Sequence, residues 1–285
     1  MLKRCTLSVM LIAVVFTCVT LSCGARDWAS GTLPVLMDPG PDSVIVDTTG
    51  VVHMYNSSSN WHCWGNLIQG WGFEYLAEPG IVSLDMVTEE DEIHAAYIRN
   101  GTVFYQWRAP NTPWQVDTVE SFQPGSVERV EIERSPNGTL WLAVLYNDTF
   151  YLYEHSPEGW MDSIVQTMPA QFKDQSLWRF EVDWENRLQL VRQISPIGFY
   201  HLTGTPGDWT GTVISNIEEL PGDTREFYLT GMEMRKDNTP ILHVAGQAHT
   251  EHADEYFSGA VFNNNGDWEA GVSWPNFYGK TAYDH

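Results

Sequence analysis

Four carboxylates occupy one position of a repeated pattern, each between two apolar neighbours: Asp85, Glu131, Glu181 and Glu233. Carboxylates that face one another raise each other's pKa or bind a cation such as calcium. A suitably separated pair is also what hydrolysis of a glycosidic bond requires. Catalytic carboxylates need unlike surroundings, however, and repeated positions have similar ones. Hydrogen bonding to a neighbouring strand is therefore the competing interpretation.

Histidines supply a second candidate chemistry. His53, His94 and His243 share one position of the repeat, and three imidazoles in register could bind zinc, copper or iron. Trp141 and Gln189 occupy the same position in the other two copies. That mixture favours imidazoles that bridge strands by hydrogen bonding.

A polar stretch in the last repeat carries further candidate metal ligands, His249, His252 and Asp254. Loops carry function more often than strands do, and histidines interleaved with carboxylates have the right ligand chemistry. The spacing lacks the helical His-Glu-x-x-His pattern that places both imidazoles on one face. A solvated loop is the alternative, and we expect no bound cofactor beyond a cation.

Exposed aromatic side chains are the third group. Trp61 and Trp64 flank His62 and Cys63, and Trp107 follows Tyr105 closely. Aromatic faces stack on sugars, so these three tryptophans are candidate ligand-binding residues. Strands of this type also alternate buried and exposed aromatics for packing alone.

The segments that must position these residues recur along the chain. Six tryptophans are spaced 43 to 59 residues apart: Trp28, Trp71, Trp114, Trp160, Trp209 and Trp268. Between consecutive tryptophans lie three further segments with alternating apolar residues, separated by polar turns such as SPNG and RKDN. Period-two alternation cut by turns predicts antiparallel strands, and a repeat of this length predicts a modular fold.

Four short strands per repeat predict an all-β chain, a β-propeller of four-stranded antiparallel blades. Five complete blades are visible, and the Trp28 strand stands alone before them. Because an N-terminal strand often completes the last blade, we expect six blades, the last truncated after Trp274. A five-bladed ring with a loose N-terminal segment is the alternative.

The N-terminus has the pattern of a sorting signal. Lys3 and Arg4 precede an apolar stretch that ends in Leu21-Ser22-Cys23-Gly24. We interpret residues 1–22 as a signal peptide and Cys23 as a lipidated residue in a lipobox-like motif, with simple secretion as the alternative. Residues 27–285 then form one propeller domain of a secreted or membrane-anchored lipoprotein, in the periplasm or outside the cell.

Composition limits both the covalent cross-links that the chain can form and the classes of partner that it can bind. Beyond Cys23 only Cys63 remains, which excludes intrachain disulfides and thiolate metal clusters in the processed chain. The formal net charge of −22 disfavours nucleic acid and anionic membrane surfaces. We therefore expect an acidic monomer that meets a membrane only through its lipid anchor.

The phrases NGTVFYQW, PNGTLWLAVLY and TPILHVAG resemble those of exported bacterial propellers grouped with sialidase-like and lectin-like repeat proteins. Ser135 to Trp141 is nearest to a sialidase Asp-box, but Asn137 replaces the aspartate, and the sialidase arginines cannot be placed. The resemblance implies a fold and not an activity. The preferred hypothesis is a non-enzymatic module that binds glycan or protein. The alternatives are a glycoside-acting enzyme that uses the channel carboxylates and a structural envelope protein.

Overall fold

A computed structural model describes residues 17–18, 30–31, 43–47, 49–56, 61–66, 70–75, 80–89, 92–109, 112–127, 129–167, 177–195, 198–215, 217, 223–249, 254–264 and 267–273. These residues form β-strands and the turns between them. None of them belongs to a helix long and apolar enough to cross a membrane.

Twenty strands form five four-stranded antiparallel sheets, which we call blades 1 to 5. Blade 1 contains β3 (Ser43–Val46), β4 (Val52–Asn56), β5 (Trp61–Asn66) and β6 (Gly70–Tyr75). Blade 2 contains β7 (Ile81–Glu89), β8 (Glu92–Arg99), β9 (Thr102–Arg108) and β10 (Gln115–Ser121). Blade 3 contains β11 (Val130–Arg134), β12 (Leu140–Tyr146), β13 (Thr149–Ser156) and β14 (Gly159–Thr167). Blade 4 contains β15 (Trp178–Val182), β16 (Leu188–Ser195), β17 (Gly198–Thr205) and β18 (Asp208–Ile214). Blade 5 contains β19 (Asp223–Met234), β20 (Pro240–His249), β21 (Asp254–Asn264) and β22 (Asp267–Ser273).

Strand order within every blade follows the chain, so each blade is a meander of hairpins. The turns have the residues that such hairpins need. Asn100 and Gly101 join β8 to β9 with φ of 53° and 80°, the left-handed conformation of a tight two-residue hairpin. Asn147 and Asp148 do the same between β12 and β13.

How deeply a strand is buried depends on its position within the blade. The second strand of blade 2 is almost wholly buried, whereas the fourth strand, β10, is exposed along nearly its whole length. Contacts divide the chain into two compact units, one built from blades 1 and 2 with most of blade 3, the other from blades 4 and 5 with the remainder. In the first unit the core includes Ile98, Val103, Ile132, Leu142 and Val144. In the second it includes Phe199, Phe227, Leu242, Val244 and Val261.

The first strands of neighbouring blades contact one another within each unit. In the first unit β7 contacts both β3 and β11, and in the second β15 contacts β19. The predicted inner position of the first strands is therefore consistent with these contacts, and residues at equal positions on them become neighbours.

The expectation of six blades is wrong for the part of the chain that the structure describes, which forms five. Each tryptophan strand from Trp71 onward pairs with the third strand of its own repeat, as β6 does with β5, so none of the five blades needs a strand from the N-terminus. The Trp28 strand and residues after Ser273 lie outside the described residues. Near the N-terminus only β1 (Thr17–Cys18) and β2 (Ser30–Gly31) are described, and they pair antiparallel.

Candidate functional site

A group of polar and aromatic side chains surrounds Glu74 on β6. Its Oε2 accepts a hydrogen bond from Arg108 Nη1 at 3.1 Å, and the same nitrogen lies 2.9 Å from Oε1 in the ion pair. Oε1 also accepts a hydrogen bond from Trp114 Nε1 at 3.2 Å. His62 Nδ1 is 3.0 Å from Oε1. Glu74 and His62 are direct partners across β5 and β6, whereas Arg108 and Trp114 come from blade 2.

Two indole rings flank the guanidinium of this group. Arg108 Cζ lies 4.5 Å from the ring centre of Trp114 and 5.3 Å from that of Trp64. A guanidinium at this distance from an aromatic face makes a cation–π interaction. We call Trp64, Glu74, Arg108 and Trp114 the Glu74 cluster. Its tryptophans are only partly buried, and its two charged side chains are 28% and 16% exposed, so solvent reaches the cluster.

Two buried histidines support Glu74 from behind. His53 Nδ1 is 3.1 Å from His62 Nε2, and His53 Nε2 is 3.3 Å from Asp47 Oδ2. With Glu74 ionised, His62 Nδ1 carries the proton and donates it, so His62 Nε2 accepts from His53 Nδ1. A neutral His53 then turns an unprotonated Nε2 toward Asp47. The contacts His62–Glu74, His53–His62 and His53–Asp47 are all hydrogen bonds only when the two histidines together hold one additional proton.

Burial resists that additional proton. It lowers the pKa of His53 to about 4, with His62 adding to the shift and Asp47 opposing it. Burial also lowers the pKa of His62, although Glu74 opposes the change. For Glu74 itself, partial burial would raise the pKa of the carboxyl, but the His62 hydrogen bond, the Arg108 charge and the Trp114 hydrogen bond hold it below its usual value. At neutral pH the cluster is thus a fixed carboxylate beside a fixed guanidinium.

Such a cluster can recognise a neutral polyol. A carboxylate has several lone pairs for hydroxyl donors, and a guanidinium has five N–H groups for hydroxyl acceptors. Each charged hydrogen bond is stronger than a neutral one. The flanking indoles supply apolar faces for C–H groups. Because Glu74 and Arg108 carry opposite charges, the pair has little net charge with which to attract an ionic ligand.

Comparison of sequences finds no family model and no curated protein that matches the chain. Solved structures are similar to it. A variant of AofleA from Arthrobotrys oligospora has a TM-score of 0.61 at 11% identity, covering 91% of this chain and 79% of that one. The fungal lectin from Aleuria aurantia, a six-bladed β-propeller with a fucose recognition mode, has a TM-score of 0.59 at 13% identity, covering 94% and 89%.

The fold is that of a β-propeller. A streptogramin B lyase is also similar, with a TM-score of 0.51 at 10% identity, covering 82% of this chain and 74% of that one. At these identities the likeness extends to the fold alone, and the propellers that share it include a lectin and a lyase. Activity must therefore be argued from this chain's own residues.

Within the propeller, two of the four predicted carboxylates come together. Asp85 Oδ2 on β7 accepts a hydrogen bond from Ile132 N on β11, at 3.0 Å. Glu131, the next residue back, pairs with Arg129 Nε at 2.7 Å. Burial, reinforced by the charge of Glu131, raises the pKa of Asp85 to about 6. The prediction that these acids bond neighbouring strands therefore holds for Asp85, and the two acids have unlike surroundings.

The other two predicted carboxylates lie on adjacent first strands of blades 4 and 5. Glu181 is half-buried on β15, opposite Gln189. Glu233 on β19 has its Oε1 3.7 Å from His243 Nε2. Two of the three aligned histidines have hydrogen-bond partners of their own, His62 for His53 and Tyr105 for His94, whereas the His243–Glu233 contact is longer than a hydrogen bond. The described residues contain no group of three or more potential metal ligands.

The remaining predicted residues divide between described and undescribed positions. Trp64 belongs to the Glu74 cluster, and Trp107 stacks on Tyr105 with ring centres 5.1 Å apart. The Trp61 side chain, His252 and Cys23 lie outside the described part. The backbones of His249 and Asp254 are paired at the ends of β20 and β21, so these two predicted loop residues are strand residues, and their side chains lie outside the described part.

Sequence reasoning missed Glu74 and Arg108. Glu74 looked like an ordinary polar residue of an outer strand, and Arg108 lies 34 residues away on another blade. One signal was available: in GWGFEY a carboxylate follows the repeated tryptophan on a strand whose partner begins WHCW. Register across β5 and β6 then pairs the acid with His62.

Proposed function

We propose that this propeller is a non-enzymatic carbohydrate-binding module and that the Glu74 cluster binds the sugar. The observation that carries the proposal is the ion pair between Glu74 and Arg108, which is flanked by the indoles of Trp64 and Trp114 and partly exposed to solvent. We further propose export through the N-terminal signal, with Cys23 as the lipid anchor. Both of these follow from the sequence pattern alone.

The chemistry of the cluster favours a neutral sugar. Vicinal hydroxyls can donate to Glu74 and accept from Arg108, while the apolar ring face packs on an indole. An acidic sugar would bring its own carboxylate close to Glu74 and weaken the contact. Because fungal fucose lectins share the fold, methyl α-L-fucoside belongs among the first probes, beside methyl glycosides of galactose and mannose.

A glycan array probed with the full chain tests the proposal, followed by calorimetry with the methyl glycosides. The Arg108→Ala variant should lose at least about tenfold in affinity, because a charged hydrogen bond contributes roughly 1.5–3 kcal/mol. Trp64→Ala should also lose affinity, because the sugar loses the aromatic face on which it packs. Arg99→Ala is the matched control, since Arg99 makes a similar cation–π contact with Phe104, 5.1 Å away on the same blade.

A melting curve must show that each variant is folded. Equal binding by wild type, Arg108→Ala and Trp64→Ala would show that the Glu74 cluster does not bind the sugar. An array without any hit would contradict the carbohydrate proposal itself and leave a protein ligand or a structural role in the envelope.

A second candidate function is glycoside hydrolysis, favoured by one observation: the raised pKa of Asp85 beside the ion-paired Glu131. A carboxyl with a raised pKa beside a second carboxylate held by an arginine is a pair in unlike surroundings, which acid–base catalysis needs. Hydrolysis of 4-nitrophenyl glycosides by the full chain, lost in Asp85→Asn, would support it. Absence of turnover with the sugars that bind would eliminate it.

A further inference from the structure

We propose that the chain has a second sugar subsite, one blade along from the first, formed by Tyr105, Trp107, His155 and Trp160 with Asp117. This inference rests on the proposed function of the Glu74 cluster and extends it. We call these five residues the Tyr105 cluster. All of them belong to the same compact unit as the Glu74 cluster.

Strand register relates the two clusters. In blade 1 His53 is the direct partner of Trp64, and His62 is the direct partner of Glu74. In blade 2 His94 is the direct partner of Trp107, and Tyr105 is the direct partner of Asp117. In both blades the indole therefore lies opposite a buried histidine. The carboxylate lies opposite the residue two positions before the indole, which is His62 before Trp64 and Tyr105 before Trp107.

The next blade contributes equivalent residues in both cases. The third strands of blades 2 and 3 begin at Thr102 and Thr149, so the place of Arg108 corresponds to His155. The repeated tryptophans Trp114 and Trp160 also correspond. A carboxylate, a nitrogen base and two indoles therefore recur, with aspartate for glutamate and imidazole for guanidinium.

Contacts bring the second set of side chains together. The Tyr105 ring centre lies 5.1 Å from that of Trp107, 5.4 Å from His155 and 5.0 Å from Trp160. The His155 and Trp160 ring centres are 4.9 Å apart. Tyr105 is buried and its hydroxyl lies 2.7 Å from His94 Nδ1, whereas Trp107 and His155 are half-exposed and Asp117 is exposed. The cluster thus has a fixed aromatic floor and an accessible polar side.

Charge distinguishes the two clusters. Burial lowers the pKa of His155, although the charges of Asp117 and Glu89 oppose the shift, so at neutral pH the ring is uncharged. His155 in turn lowers the pKa of His94, as does Arg134, which pairs with Glu89. A neutral imidazole offers one donor where a guanidinium offers five. The second subsite should therefore bind the same sugars more weakly than the first.

Hydrogen bonding also distinguishes the two clusters. Trp114 Nε1 donates to Glu74, but Trp160 Nε1 is buried with no hydrogen-bond partner among the described residues. Asp117 is one methylene shorter than Glu74. An unpaired buried donor is unfavourable by about 1–3 kcal/mol, so an acceptor that a ligand brings to it would be stabilising.

The pattern stops where the chemistry is lost. In blade 4 Trp209 Nε1 also has no hydrogen-bond partner among the described residues, but Thr212 occupies the carboxylate position opposite His201. In blade 5 Ala260 lies opposite His243, so the carboxylate position is that of Ser273, opposite Ser258. Among the described residues of these two blades, register therefore provides no carboxylate at that place.

Indole N–H signals in ¹⁵N NMR spectra of the full chain test the inference. Methyl α-L-fucoside, methyl β-D-galactoside and methyl α-D-mannoside are titrated in turn, and the signals are assigned with single Trp→Phe variants. We expect the Trp107 and Trp160 signals to shift at sugar concentrations about tenfold above those that shift Trp64 and Trp114. In Arg108→Ala only the Trp107 and Trp160 shifts should remain, and in His155→Ala only those of Trp64 and Trp114.

The outcomes separate this inference from the function on which it rests. Shifts confined to Trp64 and Trp114 in every titration would overturn the second subsite and leave the first intact. Shifts confined to Trp107 and Trp160 would support the second and overturn the first. Absence of any shift up to the solubility of all three sugars would overturn both.

Discussion

At the scale of single residues, Glu74 organises the proposed binding site of blade 1. One carboxylate receives a guanidinium, an indole N–H and an imidazole, and each donor comes from a different strand or loop. Because the guanidinium is held both by charge and by two aromatic faces, its orientation is determined before any ligand binds. Such preorganisation reduces the entropy lost on binding.

Replacement of Arg108 by lysine tests whether that orientation matters. The Arg108→Lys variant keeps the positive charge but loses the planar group that lies 4.5 Å from the Trp114 ring centre. We expect sugar affinity, measured by calorimetry, to fall about tenfold while the melting temperature changes little. A variant that binds as tightly as wild type would show that charge alone suffices.

At the scale of elements, the fourth strand of blade 1, β6, contributes both to packing and to the proposed binding site. In β6 the absence of a side chain at Gly72 makes room for the Trp64 indole. A Cβ at that position would lie 2.7 Å from Trp64 Cζ2, closer than such atoms approach. Gly72 thus determines how closely the Trp64 ring lies against β6, beside Arg108. Aromatic side chains cover strand glycines in the same way in other sheets.

The Gly72→Ala substitution should therefore displace the Trp64 ring and weaken sugar binding severalfold, with blade 1 still folded. Gly271→Ala is the matched control, since Gly271 also lies on a fourth strand under an aromatic ring, but there the nearest Phe262 atom is 3.5 Å away. Calorimetry and tryptophan fluorescence measure the two effects. Equal affinity in both variants would mean that the ring position does not limit binding.

Turns between first and second strands form another class of element. In blade 4 Asp183 is fully buried and accepts from Glu185 N, Arg187 N, Arg187 Nε and Gln189 Nε2, all at 2.8–2.9 Å. We expect Asp183→Ala to lower the free energy of unfolding by about 2–4 kcal/mol, because buried donors lose their acceptor. Asp237→Ala, in the corresponding exposed turn of blade 5, should change stability little. Urea unfolding curves would decide, and equal effects at both turns would contradict the argument.

The elements were predictable from the sequence to a much greater degree than the site was. Alternation and turn residues predicted the four strands of all five blades because those signals are local. The neighbouring positions of Asp85 and Glu131 were also predictable, since equal places on adjacent first strands meet. Arg108 and Glu74 meet across two blades at unequal places, so no repeat alignment pairs them. Side-chain length and ring orientation decide such contacts, and both depend on the packed structure.

At the scale of the whole molecule, buried ionisable groups determine how stability depends on pH. Burial lowers the pKa values of His53, His94 and His201 from 6.5 to about 4, so between these pH values the unfolded chain binds more protons. Their contribution to stability is complete above about pH 6.5 and is lost as pH falls toward 4. Asp85 acts in the opposite sense, because its pKa rises from 3.8 to about 6 and the folded chain then binds more protons.

The balance of these groups predicts a protein that acid destabilises. Between pH 7 and pH 5 each of the three histidines should remove about 2 kcal/mol from the free energy of unfolding, and Asp85 should restore about 1 kcal/mol. Urea unfolding of the full chain at the two pH values measures the net loss, expected to be about 5 kcal/mol. His94→Gln should reduce the difference in the free energy of unfolding between pH 7 and pH 5. Asp85→Asn should stabilise the chain at pH 7 and increase that difference. Because the two substitutions act with opposite signs, a general effect of the net charge of −22 cannot imitate both. A difference that neither substitution alters would place the pH dependence elsewhere in the chain.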